Sequence, residues 1–127
     1  MNIILLIGAT LGFLSVMIAA YIDHTLAFHL AEKTLHSLST AVRYHQLYAI
    51  VIAVIGLTLP WQTNRRVQIW LTRSAILFLV GILLFSFSIY TSFIFNLTSI
   101  IYCVPAGGVV LMIGWLSLIR TSLLNLK

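Results

Sequence analysis

SAILFLVGILLFSFSIYTSFIFNLTSIIYCVPAGGVVLMIGWLSLI, residues 74–119, passes from Ser74 to Ile119 without one Asp, Glu, Lys or Arg. A water-soluble domain of 127 residues has too little interior to hide such a run. A bilayer core accepts about 20 apolar residues per helix, so this stretch holds two membrane spans and the tight turn between them. The rest of the chain agrees. Hydrophobic residues make up 61% of it and charged residues 7%, against roughly 25% charged in an average soluble domain.

Outward from that stretch, the expected architecture is all-α. It is an integral membrane antiparallel four-helix bundle in one domain, with spans at about 3–22, 40–59, 71–95 and 101–120. Hydrocarbon offers no partner for bare backbone groups, which requires every span to be helical. Asp23 and His24 stop the first span, and Pro60 ends the second. Gln62-Thr63-Asn64-Arg65-Arg66 reads as a polar turn and Asn96-Leu97-Thr98-Ser99 as another. Pro105 lies early in the fourth span, as a first-turn proline or a kink. Residues 1–22 lack a preceding cation and exceed the core of a cleaved signal, so they read as a retained span. Cys103 has no second cysteine to pair with and reads as a small apolar residue.

Cations set the expected direction. Arg65, Arg66, Arg73, Arg120 and Lys127 share one side; Lys33 and Arg43 share the other. Positive residues favour the cytoplasm, which puts both termini inside a bacterial inner membrane. Arg65, Arg66 and Arg73 are then expected to contact anionic lipid headgroups. The net charge of +5 does not indicate nucleic acid, because the cations flank spans and do not cluster with exposed aromatics.

All four histidines and both carboxylates fall between Asp23 and His45. Within this segment, residues 26–39 place Leu26, Phe28, Leu30, Leu35 and Leu38 on one helical arc, and His29, Glu32, Lys33, His36 and Ser39 on the other. That pattern predicts a short amphipathic helix on the membrane surface between the first two spans. His29, Glu32 and His36 then share a face and form a possible surface metal site, while His24 and His45 can flank a haem iron. Neither spacing is specific, and no cofactor is assigned. Asp23, His24, Arg43, Tyr44 and His45 end one span and open the next on the same side. They are expected to converge there, either as an Asp23–Arg43 ion pair closing the helix ends or as a binding site.

Small residues mark the expected helix packing: Gly8 and Gly12 in the first span, Gly81 and Ser88 in the third, Gly107 and Gly114 in the fourth.

Four segments taken together resemble a family of small membrane proteins, domain of unknown function four-two-three, related to animal transmembrane protein two-five-six. The first span ends in Ala19-Ala20-Tyr21-Ile22-Asp23-His24-Thr25-Leu26, where the family reads roughly G-A-F-G-A-H-G-L. Thr40-Ala41-Val42-Arg43-Tyr44-His45-Gln46-Leu47-Tyr48-Ala49 opens the second. Leu84-Phe85-Ser86-Phe87-Ser88-Ile89-Tyr90 matches a signature in the third, and Val104-Pro105-Ala106-Gly107-Gly108 with Gly114-Trp115 one in the fourth. The chain departs from the family where Ile22, Thr25 and Phe87 replace glycines, where Asp23 replaces a small residue, and where Tyr48 replaces a histidine. The resemblance implies a four-span inner-membrane protein and supplies no activity.

No nucleophile and base stand at a spacing that demands catalysis. The reading is therefore a non-enzymatic accessory or scaffold protein. It binds membrane lipids, a larger membrane protein complex or further copies of itself through its polar cluster. The alternatives are an oligomeric small-solute or ion transporter, for which Ser86, Ser88 and the Pro105–Gly108 stretch are the only material, and a metal- or haem-binding protein.

Overall fold

Asn2 starts the first helix. Its side-chain oxygen accepts from the Leu5 amide at 3.1 Å, satisfying one of the four amides that a helix start leaves bare. The structure is a computed structural model and describes residues 1–124. α1 (Ile3–Tyr21) runs on through a π turn, Ile22–Leu26, to form span 1. After a connector at 27–31, α2 (Glu32–Thr58) and a 3-10 turn, Leu59–Trp61, form span 2. α3 (Arg65–Ile82), a second π turn (Leu83–Phe87) and α4 (Ser88–Phe95) make span 3. A 3-10 turn, Thr98–Tyr102, leads into α5 (Cys103–Leu124), and the two make span 4. Each span is long and apolar enough to cross a membrane, and no strand occurs among the described residues. The chain is an all-α, four-span membrane bundle.

Successive spans run antiparallel, so the bundle has two unlike ends. One carries Arg65, Arg66, Arg73 and Arg120 and is called the arginine end below; the other carries the connector at 27–31 and is called the histidine end. Lys127, counted above with the first group, lies outside the described residues.

The separate surface helix is not formed. Glu32–Ser39 is the beginning of α2, continuous with span 2, and residues 27–31 are turns. The physical reason lies in what the apolar arc touches. Leu38 is buried in a core cluster with Ile22, Ala41, Val42 and Tyr90, and Leu26, Leu30 and Leu35 pack against that cluster. The arc therefore faces other helices and not the lipid surface. Nothing between Glu32 and Thr58 breaks a helix, so the turns propagate. The polar turn at 62–66 is also shorter than expected. Asn64 accepts from the Arg66 amide at 2.9 Å, and this cap places Arg65 and Arg66 in the first turn of α3.

Pro105 is the third residue of α5, where the helix has no amide bond to lose, so span 4 starts there without a kink. Asn96 ends α4 in the left-handed region (φ 53°), a conformation asparagine tolerates better than most residues.

Backbones approach closely at glycines. A Cβ on Gly8 would lie 2.5 Å from the Ala53 amide nitrogen, and one on Gly56 equally close to that of Leu5. Gly107 meets the backbone of Leu84 and Phe85, Gly114 the ring of Phe78, and Gly81 the side chain of Leu111. Gly12 differs from the expectation, for nothing among the described residues lies within 4 Å of where its Cβ would be. The buried face of α1 is Gly8, Leu11 and Ser15, steps of three and four that follow the 3.5-residue repeat of a left-handed crossing, and Gly12 falls beside it.

Polar bonds tie the spans further. Ser74 donates to Ser117 at 2.7 Å between spans 3 and 4. Ser86 donates to the Ala41 carbonyl at 2.8 Å between spans 3 and 2. The Trp115 indole donates to the Tyr48 hydroxyl at 2.9 Å between spans 4 and 2. Asn2 donates to the Gly56 carbonyl at 2.6 Å between spans 1 and 2.

Candidate functional site

Near the histidine end, spans 1 and 2 meet through side chains, with Ile22 buried in one cluster with Leu38, Ala41 and Val42, and a cleft opens beside this contact. Close contact at Gly8–Ala53 and Leu5–Gly56 fixes their register and brings Ala19, Ile22 and Asp23 level with Ser39, Val42, Arg43 and Gln46. These seven residues line a cleft of about 290 Å³. Its apolar floor is Ala19, Ile22 and Val42; its polar rim is Asp23, Ser39, Arg43 and Gln46. Among the described residues, Asp23 and Arg43 share this cleft without forming an ion pair. The expected closure of the helix ends by that pair is therefore not made. A carboxylate and a guanidinium at the margin of a bilayer are left facing the same space, each with its hydrogen-bonding capacity open.

The other three members of the expected cluster go elsewhere, because consecutive helical residues step round the axis by about 100°. Arg43 and His45 are two apart and point nearly opposite ways. His45 is fully buried, with Nδ1 3.3 Å from the Tyr90 hydroxyl and its ring 5.2 Å from that of Phe87. Its Nε2 has no hydrogen-bond partner among the described residues. Tyr44 lies between these directions, half exposed, with its ring 4.6 Å from Phe85. His24 is exposed at the end of span 1. An iron flanked by His24 and His45 is incompatible with this placement, since one imidazole is outside the bundle and the other inside its core.

The surface metal site is likewise not assembled. His29 belongs to the connector, while Glu32 and His36 stand on the first turns of α2, so the three do not share a helical face. Among the described residues, no group of three His, Cys, Asp or Glu side chains comes together to hold a metal. Glu32 and His36 instead border an open hollow with Lys33, Ser39 and Arg43.

At the arginine end, Arg65 and Arg66 are exposed on the first turn of α3. Arg73 lies with its guanidinium carbon 5.0 Å from the centre of the Trp70 ring. The small residues expected at helix contacts, Gly8, Gly81, Ser88, Gly107 and Gly114, are all buried.

Four participants are not apparent from residue type. Ser39 and Gln46 complete the rim of the cleft; they stand four residues before and three after Arg43, the helical spacing that lets them share a face. Tyr90 partners His45 across helices, which no spacing within one segment reveals. Arg120 also meets Trp70, at 4.7 Å, from a different span.

Residues 18–108 match the family described as "Protein of unknown function (DUF423)". A "UPF0382 membrane protein" of Haemophilus influenzae is 30% identical over 117 residues, covering 92% of this chain and 90% of that protein. The "UPF0382 inner membrane protein YgdD" of Escherichia coli K12 is 28% identical over 123 residues, with 97% and 90% covered. The "UPF0382 membrane protein YwdK" of Bacillus subtilis is 26% identical over 119 residues, 94% of each chain. No solved structure matches. The family match takes in the cleft, the buried histidine and both π turns, and the relatives extend the likeness over all four spans: the chain belongs to the DUF423 family of multi-pass membrane proteins.

Proposed function

We propose that this protein is a non-enzymatic accessory component of the bacterial inner membrane. It binds a lipid headgroup, or a polar segment of a larger membrane protein, in the cleft between spans 1 and 2. One observation carries the reading: Asp23 and Arg43 line a common cleft among the described residues without pairing. Opposite charges that line one cleft at the bilayer margin without pairing are free to take a ligand carrying the complementary groups. Here the pairing partner is supplied by what enters the cleft. Arg43 takes a phosphate or carboxylate through its planar fork, and Asp23 takes an ammonium or amide donor. The placement of YgdD in its name as an inner-membrane protein supports the location.

The direction follows from charge. Arg65, Arg66, Arg73 and Arg120 mark the arginine end as cytoplasmic, which leaves the cleft facing outward. Conduction is disfavoured by the hydroxyls of spans 3 and 4, because Ser74, Ser86 and Ser117 are engaged in helix-to-helix bonds.

The test is copurification. Wild type and D23N/R43Q are extracted in mild detergent, and bound lipid and protein are identified by mass spectrometry. The double variant is expected to lose a lipid or protein species that wild type retains. Identical copurifying species in both would overturn the reading.

A further inference from the structure

We infer that the arginine end of spans 3 and 4 is a binding site for an anionic phospholipid, with its phosphate between Arg73 and Arg120 beside Trp70 and an acyl chain in the groove below. Trp70 and Arg73 come from α3 and Arg120 from α5. The two guanidinium carbons lie 5.0 and 4.7 Å from the centre of one indole ring. Each contact is a favourable cation–π pairing, and Arg73, Arg120 and the ring they share all line one groove. The chain has two side-chain carboxylates, Asp23 and Glu32, and both belong to the histidine end. No side-chain carboxylate therefore stands at this end beside Arg73 and Arg120, and both are open to an anionic ligand. Guanidinium forks match phosphate oxygens two at a time, and a pair of them from two helices forms a clamp.

Below the charges lies an apolar groove of about 510 Å³, bounded by Ile76, Leu77, Ile113 and Leu116. α3 runs inward from Arg73 toward Leu77, and α5 runs outward from Ile113 to Arg120. The groove thus starts at the charges and continues toward the bilayer midplane with hydrocarbon walls. Ile76, Ile113 and Leu116 are all substantially exposed on the lipid side. Cationic rim above, aliphatic trough below: this order of polarity is that of a phospholipid. A free phosphate would leave the trough unused, and an apolar helix would leave the arginines without a counter-charge. This site is separate from the cleft at the other end, and D23N/R43Q is expected to leave it intact.

The experiment is native mass spectrometry on the full chain in detergent. Phosphatidylglycerol and phosphatidylcholine with the same acyl chains are added in turn. Wild type is expected to retain phosphatidylglycerol about tenfold better, the ratio that one charge-assisted contact provides. R73Q/R120Q is expected to abolish this preference, while R65Q/R66Q, with the same loss of charge outside the groove, preserves it. L116W fills the trough with both arginines in place and is expected to lower retention severalfold. R120K, conservative enough to keep the fold, retains charge without the fork and is expected to fall between. No preference in wild type, equal losses in R65Q/R66Q and R73Q/R120Q, or full retention in L116W would overturn the proposal. So would competition by glycerol phosphate as effective as by the intact lipid, which would mark a site for an anion alone.

Discussion

The two helical hairpins of this protein make their glycine-to-backbone contacts toward opposite ends. Spans 1 and 2 touch backbone to backbone toward the arginine end, through Gly8 on Ala53 and Gly56 on Leu5, and meet through side chains toward the histidine end, where a cleft opens beside them. Spans 3 and 4 touch backbone to backbone nearer the histidine end, through Gly107 on Leu84 and Phe85, and meet through side chains at the arginine end, Ser74 on Ser117 and Arg120 on Trp70, beside a groove. The glycines decide where helix axes can approach, because lipid supplies no hydrophobic drive and packing alone rewards contact. Where side chains make the contact instead, a cleft lies beside it. Its chemistry is then set by the charges that flank that end: Asp23 and Arg43 in one hairpin, Arg73 and Arg120 in the other.

If that is the cause, substitutions at the pinch points should be far more damaging than at look-alike positions. Gly8→Leu is expected to be the most harmful, at about 3 kcal/mol or more, since its side chain must displace the Ala53 backbone. Equilibrium unfolding in mixed micelles reads this directly; a stability equal to wild type would remove the glycine explanation. Ser74→Val follows at about 1–2 kcal/mol, because the buried Ser117 hydroxyl loses its partner across spans 3 and 4. The double variant S74V/S117V should cost less than the two single losses added together, and simple additivity would argue against the bond.

Tyr90→Phe is smaller, about 1 kcal/mol. It leaves both nitrogens of His45 without a side-chain partner among the described residues and tests whether that contact joins spans 2 and 3. Gly12→Ala should have the smallest effect and the opposite sign, a gain of up to about 1 kcal/mol from helix propensity, because space is open there. Gly8 and Gly12, one turn apart on the same helix, thus sharpen the comparison most cheaply.

Much of this architecture is legible from hydropathy. The four spans, their order and their turns follow from where charge is missing, since lipid tolerates little else. What sequence leaves hidden is rotation about each helix axis. Residues 26–39 read as a surface helix because the arc of Leu26, Leu30, Leu35 and Leu38 looks the same whether it meets lipid or other helices. Arg43, Tyr44 and His45 read as one cluster because adjacency in sequence suggests it, while the helix spreads them over about 200°. Gly12 reads as a contact because a four-residue step lies close to the true repeat without following it. The π turns at Ile22–Leu26 and Leu83–Phe87 leave no signature in hydrophobic periodicity. Yet both fall on the stretches where Ile22, Thr25 and Phe87 stand in place of the glycines of the resembled family. Extra bulk accommodated by one wider turn is a consistent physical account, and π turns often mark such irregularities.

The topology that places the two openings on opposite faces of the membrane is tested most directly by labelling from outside intact cells. In a Cys103→Ser background, His29→Cys and Thr63→Cys are each exposed to a membrane-impermeant thiol reagent. The connector position is expected to react at once and the Thr63 position only after lysis. Reaction of both from the same side would contradict the four-span antiparallel bundle and, with it, the separation of the two sites.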